Sequence, residues 1–264
     1  MLLRALLSWL ALPVYIWQGV GVRMRTRRMV PADGPVIHRV AGEGEPVRLL
    51  VLGDSSAASV GIDRTDGGLA ARLSGMIAEE TGRPVEWRAA GFNSATAGQI
   101  RDFVVPNLAH DAWTHIVVSV GTNDAKNFHT VSRFKREFGG LLYALRAKWP
   151  QAQIFWSPVI DMTRVPALPP LLGRLLETRA MLVNRMGERL CRERGAFPAA
   201  RLPVEDPATG FSTDGFHASE AGYEAWAGHM LPIVLATISP AAPPPSASSP
   251  RSRIRRPSRS RSAS

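Results

Sequence analysis

Four side chains that could act together in covalent catalysis lie far apart in the sequence. Ser55 follows an apolar run in the segment GDSS, and Asn123 follows another apolar run in GTND. Asp214 and His217 are three residues apart in STDGFHASEAGY, close enough for the carboxylate to hold the imidazole while the other ring nitrogen faces outward. A hydroxyl, an imidazole and a carboxylate supply a nucleophile, a general base and an orienting acid. An asparagine amide and free backbone N–H groups could bind a developing oxyanion.

Apolar runs with strand character alternate along the chain with stretches of helical apolar spacing. Strands are predicted, weakly in the last case, at 47–53, 84–89, 114–121, 152–159 and 197–203, and helices at 67–81, 97–109, 131–148, 171–195 and 218–238. This alternation predicts an α/β fold, a three-layer α/β/α sandwich with a central parallel sheet of about five strands. Ligands bind beyond the carboxyl ends of such strands, so the loops with Ser55 and Asn123 should meet at one edge.

The segments GDSS, GTND and DGFH, in this order, resemble the motif blocks of the SGNH (GDSL-type) hydrolase superfamily. The resemblance covers about residues 47–238 and implies a flavodoxin-like sandwich. It also implies a serine esterase or lipase-like enzyme that cleaves carboxylic esters through an acyl-serine intermediate. Ser55, Asp214 and His217 would then be the catalytic residues.

The second motif block departs from the family pattern. When the segment GFNSAT is aligned on Thr96, Ser94 stands where the family has the glycine of the oxyanion hole. The backbone N–H survives this replacement, but the added Cβ can narrow the pocket or require strained backbone angles. The predicted oxyanion donors are therefore the N–H groups of Ser55 and Ser94 and the amide of Asn123, with Gly91 replacing Ser94 if the loop has another register.

Other interpretations use the same residues. An acyltransferase would pass the acyl group to a sugar or lipid hydroxyl instead of water, and a non-catalytic binding module would keep the fold without the reaction. Taken singly, the serine, asparagine and aspartate are typical of helix caps and turns. Their joint occurrence at successive loop positions favours catalysis. The Pro-rich segment 156–173 could line an acyl pocket or act only as a rigid connector.

Most of the positive charge lies outside the predicted catalytic domain. The formal net charge is +10, but eleven of the 32 Lys and Arg residues lie in 1–30 and 240–264, which contain no acid. The residues between these segments carry about −1, so nucleic acid is not a predicted partner of the folded body. The single cysteine, Cys191, excludes an intrachain disulfide and a cysteine-based zinc cluster. The other histidines show no metal-ligand spacing, so neither a metal nor a cofactor is predicted.

Four regions are predicted along the chain. Residues 1–30, an apolar run and an arginine cluster, are predicted to be an uncleaved membrane anchor or interfacial helix, with a signal peptide or a buried helix as alternatives. Residues 31–46 are predicted to be a linker, 47–239 the SGNH hydrolase domain, and 240–264 a disordered Pro/Ser/Arg-rich tail.

The predicted partners are an ester substrate, either a small molecule or lipid-like, and a membrane surface that the N-terminal segment contacts. The arginine cluster after the apolar run favours the cytoplasmic side of that membrane, with an exported or periplasmic protein as the alternative. No particular oligomeric state is predicted.

Overall fold

A computed structural model describes residues 9–26 and 28–238, in which strands alternate with helices. The strands are β1 (Ile37–Val40), β2 (Val47–Gly53), β3 (Val85–Gly91), β4 (His115–Ser119), β5 (Gln153–Trp156) and β6 (Phe197–Pro198). The helices are α1 (Leu12–Arg25), α2 (Leu69–Thr81), α3 (Ala97–Gln99), α4 (Thr122–Lys126), α5 (Val131–Lys148), α6 (Pro170–Glu193), α7 (Pro207–Gly210) and α8 (Glu220–Leu235).

The six strands form one sheet in the order β1-β3-β2-β4-β5-β6. Strands β2 to β6 are parallel, and β1 is antiparallel to its neighbour β3. Numbered along the chain, the five parallel strands have the order 2-1-3-4-5, which is the flavodoxin-like arrangement. The predicted α/β sandwich is therefore confirmed, with one additional strand at the edge.

The additional strand corrects the prediction that residues 31–46 are only a linker. Within this segment β1 pairs with β3, with Ile37 opposite Arg88 and Val40 opposite Val85. Three of its four residues are exposed, so it lacks the alternating apolar pattern that marks a half-buried strand. Its backbone instead satisfies the otherwise unpaired edge of β3.

Helices cover both faces of the sheet. One face packs against α2 and α8, and the other packs against α5, α6 and the segment 97–108. The central strands β2 and β4 are buried on both faces, which explains why their sequences are nearly continuous apolar runs rather than alternating ones.

The helix predicted over 97–109 is interrupted. After the single turn α3, the chain forms a π-helical turn at Ile100–Val104 and a 3₁₀ turn at Val105–Asn107. Pro106 lies in this last turn, and because its backbone nitrogen carries no hydrogen it cannot donate the hydrogen bond that would continue an α-helix.

The predicted N-terminal and C-terminal regions are described only in part. Residues 1–8 and the predicted tail at 240–264 lie outside the described residues. Helix α1 packs along the body through Leu12, Tyr15 and Val22. Of the helices in the described part of the chain, none is both long and apolar enough to cross a membrane.

His115 makes the stability of the fold sensitive to acid. The ring is buried at the start of β4, its Nδ1 lies 2.7 Å from Thr114 Oγ1, and its Nε2 has no hydrogen-bond partner among the described residues. Burial, with a smaller contribution from the positive charge of Arg83, lowers the pKa of His115 from 6.5 to about 4. Between these two values the unfolded chain binds a proton that the folded protein does not, so stability decreases as the pH falls.

We expect His115→Phe to weaken this pH dependence. The replacement keeps an aromatic ring against Phe155, whose centroid lies 6.1 Å from that of His115, and removes the titrating group. In the wild type the loss should approach about 3 kcal/mol once the pH is below about 4. Urea denaturation of both proteins between about pH 7 and pH 4.5 measures the difference. Parallel curves for the two proteins would exclude His115 as the source.

Candidate active site

The register of the sheet brings the motif loops to one edge. Gly53, at the end of β2, pairs with Gly91 at the end of β3 and with Ser119 at the end of β4. A Cβ at Gly53 would lie 2.2 Å from the Ser119 carbonyl oxygen, and one at Gly91 would lie 2.0 Å from the Gly53 carbonyl oxygen. Both glycines are therefore required for the strand ends to approach this closely. The loops that carry Ser55 and Asn123 leave the sheet side by side.

Asp214 and His217 form a hydrogen-bonded pair in the loop before α8. The distance from Asp214 Oδ2 to His217 Nδ1 is 2.6 Å. The backbone N–H groups of Phe216 and His217 donate to Asp214 Oδ1 at 2.8 and 2.9 Å, and the Ser212 hydroxyl donates to the same oxygen at 2.8 Å. The carboxylate thus organises the loop and orients the ring, which leaves Nε2 for another partner.

The hydrogen bonds keep Asp214 ionised. Burial raises the pKa of this carboxyl, but the bonds from the His217 ring and from the His217 and Phe216 N–H groups outweigh burial and hold its pKa well below the ordinary range. Asp214 therefore stays negative near neutral pH and can stabilise a protonated His217.

Ser55 lies two residues after the end of β2 and lines the same cavity as His217. The turn that begins at Ser55 packs against the loop of His217, since a Cβ at Gly61 would lie 2.9 Å from His217 Cβ. The Ser55 hydroxyl makes no hydrogen bond with any described residue, so the structure brings the predicted nucleophile and base to one cavity without joining them. Hydrogen bonds of this kind are often long in the absence of substrate and tighten in the bound complex.

Asp54, which sequence reasoning did not single out, organises the residues around Ser55. Its carboxylate is buried and accepts hydrogen bonds from the Ser56 N–H at 3.1 Å, the Ser56 hydroxyl at 3.0 Å and the Asn123 amide at 3.0 Å. Burial raises the pKa of Asp54, while the Ser56 hydrogen bonds and the charges of Lys126 and His217 act in the opposite direction. The signal was present in the sequence as the acid that immediately precedes Ser55.

Asn123 lines the cavity, but its amide is already engaged. Its Nδ2 donates to Asp54 Oδ2 at 3.0 Å and to the Ala95 carbonyl oxygen at 3.0 Å. These bonds connect the loops after β2, β3 and β4. Donation to an oxyanion requires Asn123 to share or release one of these two hydrogens.

Ser94 rather than Gly91 lies at the cavity. Ser94 lines it with a φ of 65°, in the left-handed region that glycine adopts most easily. Gly91 is the last residue of β3 and is not among the described residues that line the cavity. The backbone N–H groups of Ser55 and Ser94 donate to no acceptor in the described part of the chain, so both are available to a bound group.

We expect Ser94→Gly to retain activity and to be at least as stable as the wild type. A non-glycine residue in the left-handed region costs about 1–2 kcal/mol, which offsets the larger chain entropy of glycine in the unfolded state, and the N–H group remains in place. Thermal unfolding and steady-state hydrolysis of a soluble ester test this together. A folded Ser94→Gly protein with greatly reduced turnover would indicate that the Ser94 side chain, which lies 3.4 Å from Asn93 Oδ1, has a role of its own.

A buried polar cluster lies next to Asn123 and includes the adjacent residue Asp124. His129 Nδ1 lies 3.1 Å from Asp124 Oδ1 and 3.5 Å from Glu137 Oε2. The Ala97 N–H donates to the other Asp124 oxygen at 3.1 Å, and Arg133 donates to Glu137 Oε1 at 2.8 Å. The sequence spacing did not reveal this grouping of acids around His129. Its contacts tie α4 to the start of α3 and to α5.

The cavity around these residues is large and mostly apolar, with a volume of about 1340 Å³. Its walls come from the loop after β5, the start of α6, helix α1 and the loop before α8. The loop after β5 contributes several apolar side chains from the Pro-rich segment, namely Val159, Ile160, Met162, Val165 and Leu168. This segment therefore lines the pocket.

Two further cavity residues were not expected from the sequence. Lys126, three residues after Asn123 on α4, has its ammonium 5.7 Å from the centroid of the Phe216 ring. Burial lowers the pKa of Lys126, Asp54 opposes this effect and Arg23 adds to it. Tyr15 of α1 also lines the cavity, and its hydroxyl donates to the Lys126 carbonyl oxygen. A sequence signal existed for Lys126, since it lies about one helical turn from Asn123.

The sequence profile of the GDSL-like Lipase/Acylhydrolase family matches residues 51–225, about two thirds of the chain. The chain belongs to this family. The matched residues include Ser55, Ser94, Asn123, Asp214 and His217. As a member of this family, the GDSL-like protein is an ester hydrolase of the SGNH type. A comparison with curated proteins gives no match.

Solved structures share the fold of the GDSL-like protein. TesA is 22% identical with a TM-score of 0.56, and the match covers 71% of this chain and 97% of TesA. The psychrotrophic esterase EstA from Pseudoalteromonas sp. is 15% identical with a TM-score of 0.59, covering 72% and 97%. Phospholipase A1 from Streptomyces albidoflavus NA297 is 15% identical with a TM-score of 0.51, covering 75% and 100%.

Proposed function

We propose that this GDSL-like hydrolase cleaves carboxylic esters through an acyl-serine intermediate on Ser55. The Ser55 oxygen attacks the ester carbonyl carbon, and its proton moves to Nε2 of His217. The carbon–oxygen bond to the alcohol then breaks, and the alcohol leaves with the proton from His217. A water molecule next gives a proton to His217 and attacks the acyl group, which releases the acid and restores Ser55.

The observation that carries this proposal is the pairing of Asp214 with Nδ1 of His217 at 2.6 Å, in the cavity that Ser55 also lines. The pairing fixes the tautomer in which Nδ1 carries the proton and Nε2 can accept one from Ser55.

The oxyanion would be held by the N–H groups of Ser55 and Ser94. Neither N–H group donates a hydrogen bond to a described residue, and both belong to loops at the same edge of the sheet. The Asn123 amide would contribute by sharing the hydrogen that it donates to the Ala95 carbonyl oxygen. Preorganised donors of this kind are each worth about 10²- to 10³-fold in turnover.

The cavity favours an ester with a long acyl chain. Its volume of about 1340 Å³ exceeds the range of about 300–1,000 Å³ that is usual for small-ligand pockets. The wall formed by the Pro-rich loop and by Leu172 and Leu176 of α6 is apolar, so each additional methylene of an acyl chain would be removed from water there.

The decisive experiment is covalent labelling with a fluorophosphonate probe that carries an alkyl chain. We expect stoichiometric labelling of the wild type at Ser55, identified by peptide mass spectrometry, and no labelling of Ser55→Ala. A folded wild type that the probe leaves unlabelled would overturn the mechanism and favour the non-catalytic binding module.

A panel of p-nitrophenyl esters of increasing chain length then tests the acyl preference. We expect kcat/KM to rise from acetate to longer chains, since each buried methylene is worth about 0.8 kcal/mol. Product analysis with and without an added sugar or lipid alcohol distinguishes hydrolysis from acyl transfer. Quantitative appearance of the acylated alcohol in place of the free acid would identify a transferase.

A further inference from the structure

Helix α1 is apolar on both its inner and its outer side. The inner side carries Leu12, Tyr15 and Val22, which pack against the core, and the Tyr15 hydroxyl donates to the Lys126 carbonyl oxygen. These contacts fix the orientation of the helix on the body. A surface helix normally turns a polar side to solvent. The apolar composition of the solvent-facing side of α1 therefore indicates that this side binds a partner.

Leu10, Trp17 and Met24 form the outer face of this segment. Trp17 and Met24 are seven residues apart on α1, which places them on one side of the helix, and they are 76% and 82% exposed. Leu10 lies just before α1 begins and is 77% exposed. Single exposed apolar side chains are ordinary on protein surfaces, whereas a contiguous row of large ones marks an interaction site.

The charged residues of the N-terminal segment are all positive. Arg23, Arg25 and Arg28 lie at the C-terminal end of α1 and just beyond it, and all three are exposed. Residues 1–32 contain no acid, and the first one is Asp33. An apolar row next to three exposed arginines complements an anionic lipid surface, in which acyl chains contact the apolar side chains and phosphates bind the cations.

The same helix also forms a wall of the catalytic cavity. Ile16, Val20 and Arg23, on its flank, line the space that Ser55 and His217 share. The outer face and the cavity are therefore on adjacent sides of one helix. An ester that leaves a lipid layer at the outer face has a short path along α1 to the cavity.

We propose that α1 docks the protein onto the surface of an anionic bilayer, with the outer face inserted among the lipids. The helix lies in the plane of the interface. The cavity is held at the membrane surface, so its substrate is an acyl ester drawn from that membrane. This last step rests on the proposed hydrolase function, whereas the docking does not.

The test uses the full chain and vesicles of phosphatidylcholine, either pure or mixed with phosphatidylglycerol. Trp17→Glu/Met24→Glu replaces the two residues of the outer face that lie on α1, and neither of them lines the cavity. Tyr143→Glu is the matched control, because Tyr143 is 69% exposed on α5 and does not line the cavity. The Arg-rich residues 240–264 are present in every variant, so their contribution cancels in the comparison.

We expect the wild type and Tyr143→Glu to float with the mixed vesicles, and the double variant to bind at least about tenfold more weakly. Thermal unfolding of all three proteins checks the fold, and Trp17→Ala/Met24→Ala, which adds no charge, should show an intermediate loss. Equal flotation of the double variant and the wild type would overturn the proposal. So would a wild-type dimer, measured by light scattering without vesicles, that the double variant converts to a monomer.

Two activity measurements separate docking from catalysis. The double variant should hydrolyse soluble p-nitrophenyl butyrate at the wild-type rate and should release fatty acid from the mixed vesicles more slowly. Ser55→Ala should float like the wild type. If Ser55 is not labelled by the fluorophosphonate while flotation still depends on the outer face, the hydrolase mechanism fails and the docking stands.

Discussion

Ser55→Ala is expected to reduce kcat/KM for a p-nitrophenyl ester by about 10⁴- to 10⁶-fold, because it removes the atom that forms the acyl-enzyme. The residual rate would come from the remaining N–H donors and from binding in the cavity. The Ser55 hydroxyl has no hydrogen bond to a described residue, so its removal should leave the free energy of unfolding almost unchanged. Steady-state kinetics and urea denaturation of the same preparation measure both quantities.

Ser56→Ala is the matched control for Ser55→Ala. The Ser56 hydroxyl is buried and bonded to Asp54 at 3.0 Å and to Ser119, so its removal should lower stability by about 1 kcal/mol. Catalysis should survive because the Ser56 N–H still donates to Asp54 at 3.1 Å. If Ser56→Ala abolishes fluorophosphonate labelling and Ser55→Ala does not, the nucleophile has been assigned to the wrong serine.

Asp214→Asn is expected to reduce kcat by about 10⁴-fold while the protein remains folded. The Asn Oδ1 can still accept the bonds from Ser212, Phe216 and His217 that organise the loop. The Asn Nδ2 would then face Nδ1 of His217 and donate to it, which forces the ring into the tautomer with a proton on Nε2. A ring in that tautomer cannot accept the proton of Ser55.

Two measurements distinguish this tautomer effect from damage to the loop. Circular dichroism and thermal unfolding should place Asp214→Asn close to the wild type, and nitrogen chemical shifts of His217 should show the change of tautomer. A well-folded Asp214→Asn enzyme with wild-type turnover would show that the carboxylate does not orient the base.

The fold class and the motif loops were predictable from local sequence. Continuous apolar runs separated by helical periodicity are typical of a parallel sheet covered on both faces, and the carboxyl ends of its strands must share an edge. Ser55 and Asn123 could be placed at that edge because each lies two residues after the end of a predicted strand. Asp214 could be paired with His217 because the two are three residues apart, within reach of a single turn.

Other features depended on contacts between distant segments. β1 has no apolar pattern of its own, and only the open edge of β3 makes Ile37–Val40 a strand. The left-handed conformation of Ser94 and the engagement of the Asn123 amide by Asp54 and Ala95 follow from how three loops meet. The conformational preferences of individual residues do not specify how loops that are distant in the sequence contact one another.

Helix α1 shows this division most clearly. Its uncharged apolar run followed by arginines predicted a membrane anchor or interfacial helix, with a signal peptide or a buried helix as alternatives. Only the tertiary structure decided which side of the helix faces the protein, since Tyr15 finds its partner at Lys126, more than a hundred residues away. That contact turns Ile16 and Val20 toward the cavity and leaves Trp17 and Met24 outward. The sequence alone determined that the helix is apolar and is followed by arginines. Long-range packing determined that the helix also forms part of the candidate active site.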